Sequence, residues 1–280
     1  MEENMMEMQG DFCLKNHIII CNWSNKAHTI VSQLHEESVK EKAPIIVITN
    51  NPEKVPRSTD PAYRGLLMIV GDPADKEMLN RADVQFAKNV IVLADDDDLE
   101  NADAKSILIV LAIDALNPSV HVIVELLKSK NENYFQYTHV NEIICLEQLA
   151  EKLLAQSALT PGLSQVYMDL LTQSSATNEI YQVPVPQAII EKKMTYRDVE
   201  QVIITIDEKD IVLIGFSTIA AKKVDGREVI NGFGRKITER QVVINPKSSS
   251  KDSYSKDHVL QADDMLFFMS YERPEIAGYF

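Results

Sequence analysis

Between His17 and Leu146 the sequence places six short runs of aliphatic, mostly β-branched residues. They are His17-Ile18-Ile19-Ile20-Cys21, Ile45-Ile46-Val47-Ile48, Leu67 to Val70, Val90-Ile91-Val92-Leu93, Val120-His121-Val122-Ile123-Val124 and Glu142-Ile143-Ile144-Cys145-Leu146. Continuous apolar runs of this length mark strands buried on both faces, the condition met in parallel sheets covered by helices. Helical spacing fills the gaps. Ala27, Ile30, Val31 and Leu34 share one face, and Ala102 to Leu116 reads as a longer helix. The pattern predicts an α/β fold, a Rossmann-like doubly wound parallel sheet over residues 16–146.

One connection is especially clear. Gly71-Asp72-Pro73 follows the third run and leads into a short helix that ends near Val84. Gly71 suits a sharp turn, Asp72 a helix cap, and Pro73 the first helical position. Ligands of such sheets bind outside the carboxyl ends of the strands, so this edge is the candidate sensing surface.

Beyond the sheet, Gln148 to Leu159 carries Leu149, Leu153, Leu154 and Ala158 on one face. Thr160-Pro161-Gly162 breaks it, and Leu163 to Leu171 forms a second helix. This amphipathic pair has no core of its own to cover, which suggests a subunit interface. Polar residues 172–178 mark a boundary. The remainder reads as a small α+β lobe. Its Ile180 to Pro186 is a Pro-limited edge strand, and Val202 to Ile206 with Ile211 to Phe216 suggests a hairpin turning at Asp207 to Asp210. Lys247 to Asp257 is a Ser-rich loop expected to be mobile, and Met265 to Met269 a last strand. The expected domains are a tail at 1–15, the sheet lobe at 16–146, a crossover hairpin at 147–178 and a C-terminal lobe at 179–280. The stretch Ala220 to Thr238, with Gly226, Gly232 and Gly234, has no assignment.

Of the 280 residues, 28 are basic and 42 acidic, a formal charge of −14. That balance opposes nucleic acid as a main partner, because phosphate binding wants a basic face. The three cysteines, Cys13, Cys21 and Cys145, lie far apart and suggest reduced thiols in a cytosolic setting. No run reaches the ~20 apolar residues needed to span a bilayer, and the first ten residues lack a basic leader segment.

Taken together these segments resemble a regulator-of-potassium-conductance (RCK) domain, also called a potassium-transport nucleotide-binding domain. The similar stretches are Asn16 to Trp23, Gly71 to Val84, Val90 to Asp98, Val122 to Leu126, Leu154 to Ala158 with Pro161-Gly162, Val183 to Pro186, Ile244-Asn245-Pro246 and Asp263-Asp264. The resemblance implies a ligand-sensing module on the cytoplasmic face of the membrane that regulates a potassium channel or transporter. It implies dimers through the helical hairpin (Leu149, Leu153, Leu154, Leu163, Val166 and Leu170) and a ring, octameric in such families, beneath a fused or separate pore domain. Ligand binding would change the angle between lobes. The Met-rich start would be a remnant of a pore-to-ring linker or an internal start.

The candidate nucleotide site comprises Asn22, Trp23, Ser24, Asn25, Lys26, Thr49, Asn50, Gly71, Asp72, Ala94 and Asp95. Asn22, Ser24 and Ala27 stand where a dinucleotide loop has glycines. Thr49-Asn50-Asn51 stands where an acidic ribose binder is expected. Three readings stay open: bound NAD(H), a mononucleotide such as AMP or ADP held by Asn22, Ser24 and Asn50, or a cleft that has lost its ligand. Trp23 would stack on a base or pack on a helix. Asp95, Asp96, Asp97 and Asp98 repel one another, so they are either a solvated loop with Asp95 or Asp98 as a helix cap, or ligands with Glu125 of a cation such as Ca²⁺. Leu127 stands where a further acidic ligand would be wanted. His28 and His35 are expected to face solvent, and Cys21 to be buried. No nucleophile–base set, Walker lysine loop or zinc spacing is present, so no enzyme is expected. The rival readings are an NAD-dependent oxidoreductase and a ligand-free scaffold.

Overall fold

The computed structural model describes residues 14–36, 42–56, 63, 65–172, 177–206, 210–224, 226–230, 236–248 and 254–280. Most of the expected tail, the turn residues 207–209, Gly232 and Gly234, and residues 249–253 of the Ser-rich loop lie outside them. The described chain divides into a unit running to Pro161, with Ile230, and a unit from Gly162 onward.

The first unit alternates strand and helix. Its elements are β1 (Ile18–Cys21), α1 (Ala27–Leu34), β2 (Ile45–Thr49), β3 (Leu66–Val70), α2 (Lys76–Arg81), β4 (Asn89–Val92), α3 (Ala102–Leu116), β5 (His121–Leu126), β6 (Glu142–Cys145) and α4 (Leu146–Leu159). The six strands form one sheet in the order β3-β2-β1-β4-β5-β6, with every neighbouring pair parallel. The strand order reverses between β1 and β4, and their outgoing ends flank the crevice where such folds take ligands. Alternation within each strand feeds two cores. Ile19, Cys21, Ile46, Ile48, Val90, Val92, Val122 and Val124 pack with Leu79, Ile109 and Ile113 on one face. Ile18, Ile20, Ile45, Val47, Leu66 and Met68 pack with Trp23, Ala27 and Val31 on the other. Each fully buried aliphatic side chain contributes about 1.5–3 kcal/mol.

The Gly71 connection differs from expectation in two respects. α2 begins at Lys76, and its N-cap is Asp75, whose carboxylate accepts from the Glu77 amide at 2.8 Å. Asp72 instead accepts from the Ala74 amide at 2.9 Å, closing a turn before the helix, and Pro73 lies outside it. Gly71 is also absent from the left-handed residues. A Cβ there would lie 2.5 Å from Met78 Sδ, so its requirement is room for Met78 and not an unusual φ.

The second unit contains α5 (Leu163–Leu171), β7 (Glu179–Pro184), α6 (Gln187–Glu191), α7 (Tyr196–Ile204), β8 (Val212–Ala221), β9 (Lys223–Val224), β10 (Arg227–Glu228), β11 (Thr238–Ile244) and β12 (Met265–Ser270). Its sheet is antiparallel in the order β11-β8-β12-β7, so β7 is an edge strand. Phe216, Leu266 and Phe268 pack under Ile189, Tyr196, Val199 and Ile203. The expected hairpin strand at Val202 to Ile206 is helix through Ile204. A reciprocal cap of Thr195 and Asp198 starts α7, and Tyr196, Val199 and Ile203 bury one helical face. The unassigned stretch after Ala220 holds the two-stranded β9–β10 ribbon. The end of the Ser-rich loop is tied down: Lys256 pairs with Glu200 at 2.6 Å, and Arg197 with Asp257 at 2.9 Å.

Candidate functional site

Asn22 ends β1 in the left-handed region, at φ 68°. Asparagine tolerates that conformation, which glycine takes freely. Its main-chain amide donates to the Ile48 carbonyl at 2.9 Å, and its side-chain amide to the Leu93 carbonyl at 2.9 Å. The side chain therefore spans the seam between β1 and β4. Next to it, Ser24 and Trp23 are buried, and neither the Ser24 hydroxyl nor the Trp23 indole N–H has a partner among the described residues. Buried polar groups are nearly always hydrogen-bonded, so the Ser24 hydroxyl marks the turn as a place that accommodates a further polar group. The Trp23 ring lies in the core with its edge against His28, at 5.4 Å between centroids, and is closed to base stacking. His28 is tied to the Tyr63 hydroxyl at 2.6 Å and His35 to the Ala43 carbonyl at 3.1 Å, so neither simply faces solvent.

Across the seam, the buried Glu125 at the end of β5 pairs with Lys26 and accepts from the Ala94 amide at 3.0 Å. The four aspartates that follow β4 are held in three separate places. Asp95 and Asp98 both pair with Lys105 of α3, at 2.8 and 3.1 Å. Asp96 accepts from the Asn25 amide at 3.3 Å. Asp97 accepts from the Asn51 side chain at 2.7 Å and pairs with Lys54. Burial alone would raise the Asp95 carboxyl, but hydrogen bonds from Lys105 and from the Asp97 amide carry it below its ordinary value. The Lys105 hydrogen bond likewise lowers Asp98. Lys105 and Lys54 are raised in return by the aspartates they bond. Neither Asp95 nor Asp98 is the N-cap of α3; that residue is Asn101, whose amides reach Asp98.

The five carboxylates proposed for a shared cation do not converge. Among the described residues, no three His, Cys, Asp or Glu side chains form a group that could hold a metal ion. Hard divalent ions need six to eight oxygens on one centre. Lysine ammonium groups supply counter-charge instead, Lys26 to Glu125, Lys54 to Asp97 and Lys105 to both Asp95 and Asp98, while Asp96 rests on the Asn25 amide. The nucleotide set fares differently. Asn22, Ser24, Asn25, Lys26, Ala94 and Asp95 gather at the crevice, and Thr49 and Asn51 close its β2 side through a 3.0 Å bond from the Asn51 amide to the Thr49 hydroxyl. Gly71 follows β3, one strand further out, where its amide donates to the Thr49 carbonyl at 3.0 Å. Asn50 is exposed, and Asp72 is bound into its own turn. Lys54 and Lys105 were not singled out from sequence. The available signal was their placement after β2 and after the acidic run, on the same sheet edge.

Cys21 is fully buried, and burial pushes its thiol up to about 12, which leaves it inert. On α4 and α5 no residue is buried. Leu149, Leu154 and Val166 are more than half exposed, and Leu153, Leu163 and Leu170 are half-buried. No described helix is long and apolar enough to cross a membrane.

The first unit is thus a dinucleotide-type α/β lobe with a polar crevice at its switch point. Residues 18–146 match the family model of the TrkA-N domain, so the first unit carries a domain of that family. Over 168 residues it is 27% identical to the calcium-gated potassium channel TvoK of Thermoplasma volcanium, a match covering 58% of this chain and 45% of that protein. Over 180 residues it is 28% identical to the ion channel DMI1 of Medicago truncatula, covering 60% of this chain and 20% of that one. The human SLO3 gating ring shares the fold, with a TM-score of 0.59 at 17% identity over 91% of this chain and 44% of that chain. The chain spans less than half the length of each.

Proposed function

We propose that this chain is a ligand-sensing subunit of a gating ring that regulates a potassium channel or transporter from the cytoplasmic side. The observation that carries this reading is the 27% identity over 168 residues to a gated potassium channel. The unburied apolar faces of α4 and α5 support assembly through those helices, first into dimers and then into a ring, which we take to be octameric. The pore is fused or separate.

A nucleotide is the ligand the crevice suits best. The unpaired Ser24 hydroxyl and the Asn25 amide stand at the entry to α1, where backbone dipoles favour phosphate. Lys26 adds a cation there. NAD(H), ADP and AMP all present that chemistry, and the ligand would shift the angle between lobes by binding one arrangement better. The dispersed carboxylates argue against calcium at this place. Likewise, no acidic ribose binder stands at the end of β2, which weakens the oxidoreductase reading.

The test is a thermal-shift series with NAD(H), AMP, ADP, ATP, Ca²⁺, Na⁺ and Mg²⁺. A nucleotide at 100 times its Kd stabilises the fold by about 2.7 kcal/mol. At least one nucleotide is expected to raise Tm by several degrees. A response to Ca²⁺ alone would replace the nucleotide with a cation, and a flat series would leave only the scaffold.

A further inference from the structure

The loop after β4 crosses the crevice. In the sheet β1 lies between β2 and β4. Asp97, which follows β4, nevertheless pairs with Asn51 and Lys54, which follow β2. The loop therefore passes over the outgoing end of β1. On the way, Asp96 accepts from the Asn25 amide, in the turn that leads into α1. Both ends of the loop are clamped by one residue, because Lys105 bonds Asp95 and Asp98 together. The two middle carboxylates reach across while the two outer ones stay fixed.

The contacts made by the middle pair are those an anionic nucleotide would use. A carboxylate on the Asn25 amide stands where a phosphate oxygen would stand at a helix entry. A carboxylate beside Asn51 and Lys54 occupies the β2 side of the crevice, where a ribose would lie. The same turn carries the buried Ser24 hydroxyl, which has no partner among the described residues. Five carboxylates face three lysines at this rim, so an added phosphate meets repulsion unless carboxylates leave.

We propose that Asp96 and Asp97 form an anionic strap that occupies the nucleotide crevice from within, and that a nucleotide binds by displacing it. This rests on the nucleotide reading above and adds its regulation. On binding, Lys54 and the Asn25 amide exchange carboxylate for ligand, and Asp96 and Asp97 return to water. The exchange is inexpensive because the pairs being broken are partly exposed, and such pairs contribute little. Lys105 keeps its two aspartates, so the loop swings about fixed ends. Strap release is then the first structural response to ligand.

The experiment is calorimetric titration of the full chain with ADP and with NADH at low and high salt. D96N/D97N is compared with wild type and with E132Q/E275Q, which removes two exposed charges elsewhere. D96N/D97N is expected to bind roughly tenfold more tightly at low salt, with the gap narrowing as salt screens the rim. A second variant, N51C/D97C, ties the strap down by a disulfide. It is expected to bind poorly when oxidised and to recover on reduction. If D96N/D97N binds no better than wild type, or the oxidised variant binds as well as the reduced one, the strap is refuted and the nucleotide reading stands. If neither wild type nor D96N/D97N binds ADP or NADH while both remain folded, the nucleotide reading itself fails, and the strap with it.

Discussion

Leu154 on α4 offers the most direct quantitative test of assembly. Its side chain is 73% exposed in the isolated chain. Full burial of a leucine contributes about 1.5–3 kcal/mol, so roughly 1–2 kcal/mol remains to be gained at this position. A two-fold interface uses every residue twice, which makes Leu154→Ser worth about 2–4 kcal/mol per dimer. At 1.4 kcal/mol per tenfold, the dimer Kd should weaken roughly 30- to 700-fold. Sedimentation equilibrium from micromolar to submillimolar concentration measures this directly. Far-UV circular dichroism should be unchanged, because most of the residue faces away from its own chain. If Leu154→Ser associates as wild type does, α4 is not the interface. If wild type is monomeric at 100 times the variant's working concentration, the ring itself is excluded.

Two further outcomes follow from the geometry. In Lys105→Met both aspartates lose their cation, so both carboxyls should titrate higher than in wild type, with the burial of Asp95 adding to its rise. In wild type the lowered folded-state values contribute stability above the ordinary carboxylate pKa, and that contribution is lost as pH falls through them. Carbon-13 NMR titration of the side-chain carboxyls reads both shifts, and unchanged titration in Lys105→Met would contradict the clamp. The two packed glycines should separate in thermal unfolding. Gly215→Ala puts a Cβ 2.3 Å from the Val243 carbonyl oxygen, which is backbone, and should cost about 1–3 kcal/mol, whereas Gly71→Ala meets the flexible end of Met78 and should cost less.

The parallel sheet was legible because Ile18 to Cys21 and its counterparts are almost wholly apolar, a pattern that few environments other than a two-sided core satisfy; the exceptions are His121 in the fifth run and Glu142 in the sixth, which forms the largely exposed edge strand β6. The second unit was less so. Val202 to Ile206 has strand-like composition, and only the cap at Thr195 and the spacing of Tyr196, Val199 and Ile203 assign it to a helix. At the crevice, local sequence named the residues but not their partners. Asp95 to Asp98 reads as a cation site because four carboxylates stand together. Their neutralisation depends on Lys54 and Lys105, brought in by long-range topology and by the next helix. A run of like charges says that counter-charge is needed; only the fold says which atoms supply it.

Asn22 has a consequence for how a signal could leave this lobe. With its main-chain amide on Ile48 and its side chain on Leu93, it rivets three adjacent strands where they end. Prying the two halves of the sheet apart at that point would strand hydrogen-bonding groups away from water. The sheet therefore behaves as a fixed bearing, and whatever moves must be hung from its rim.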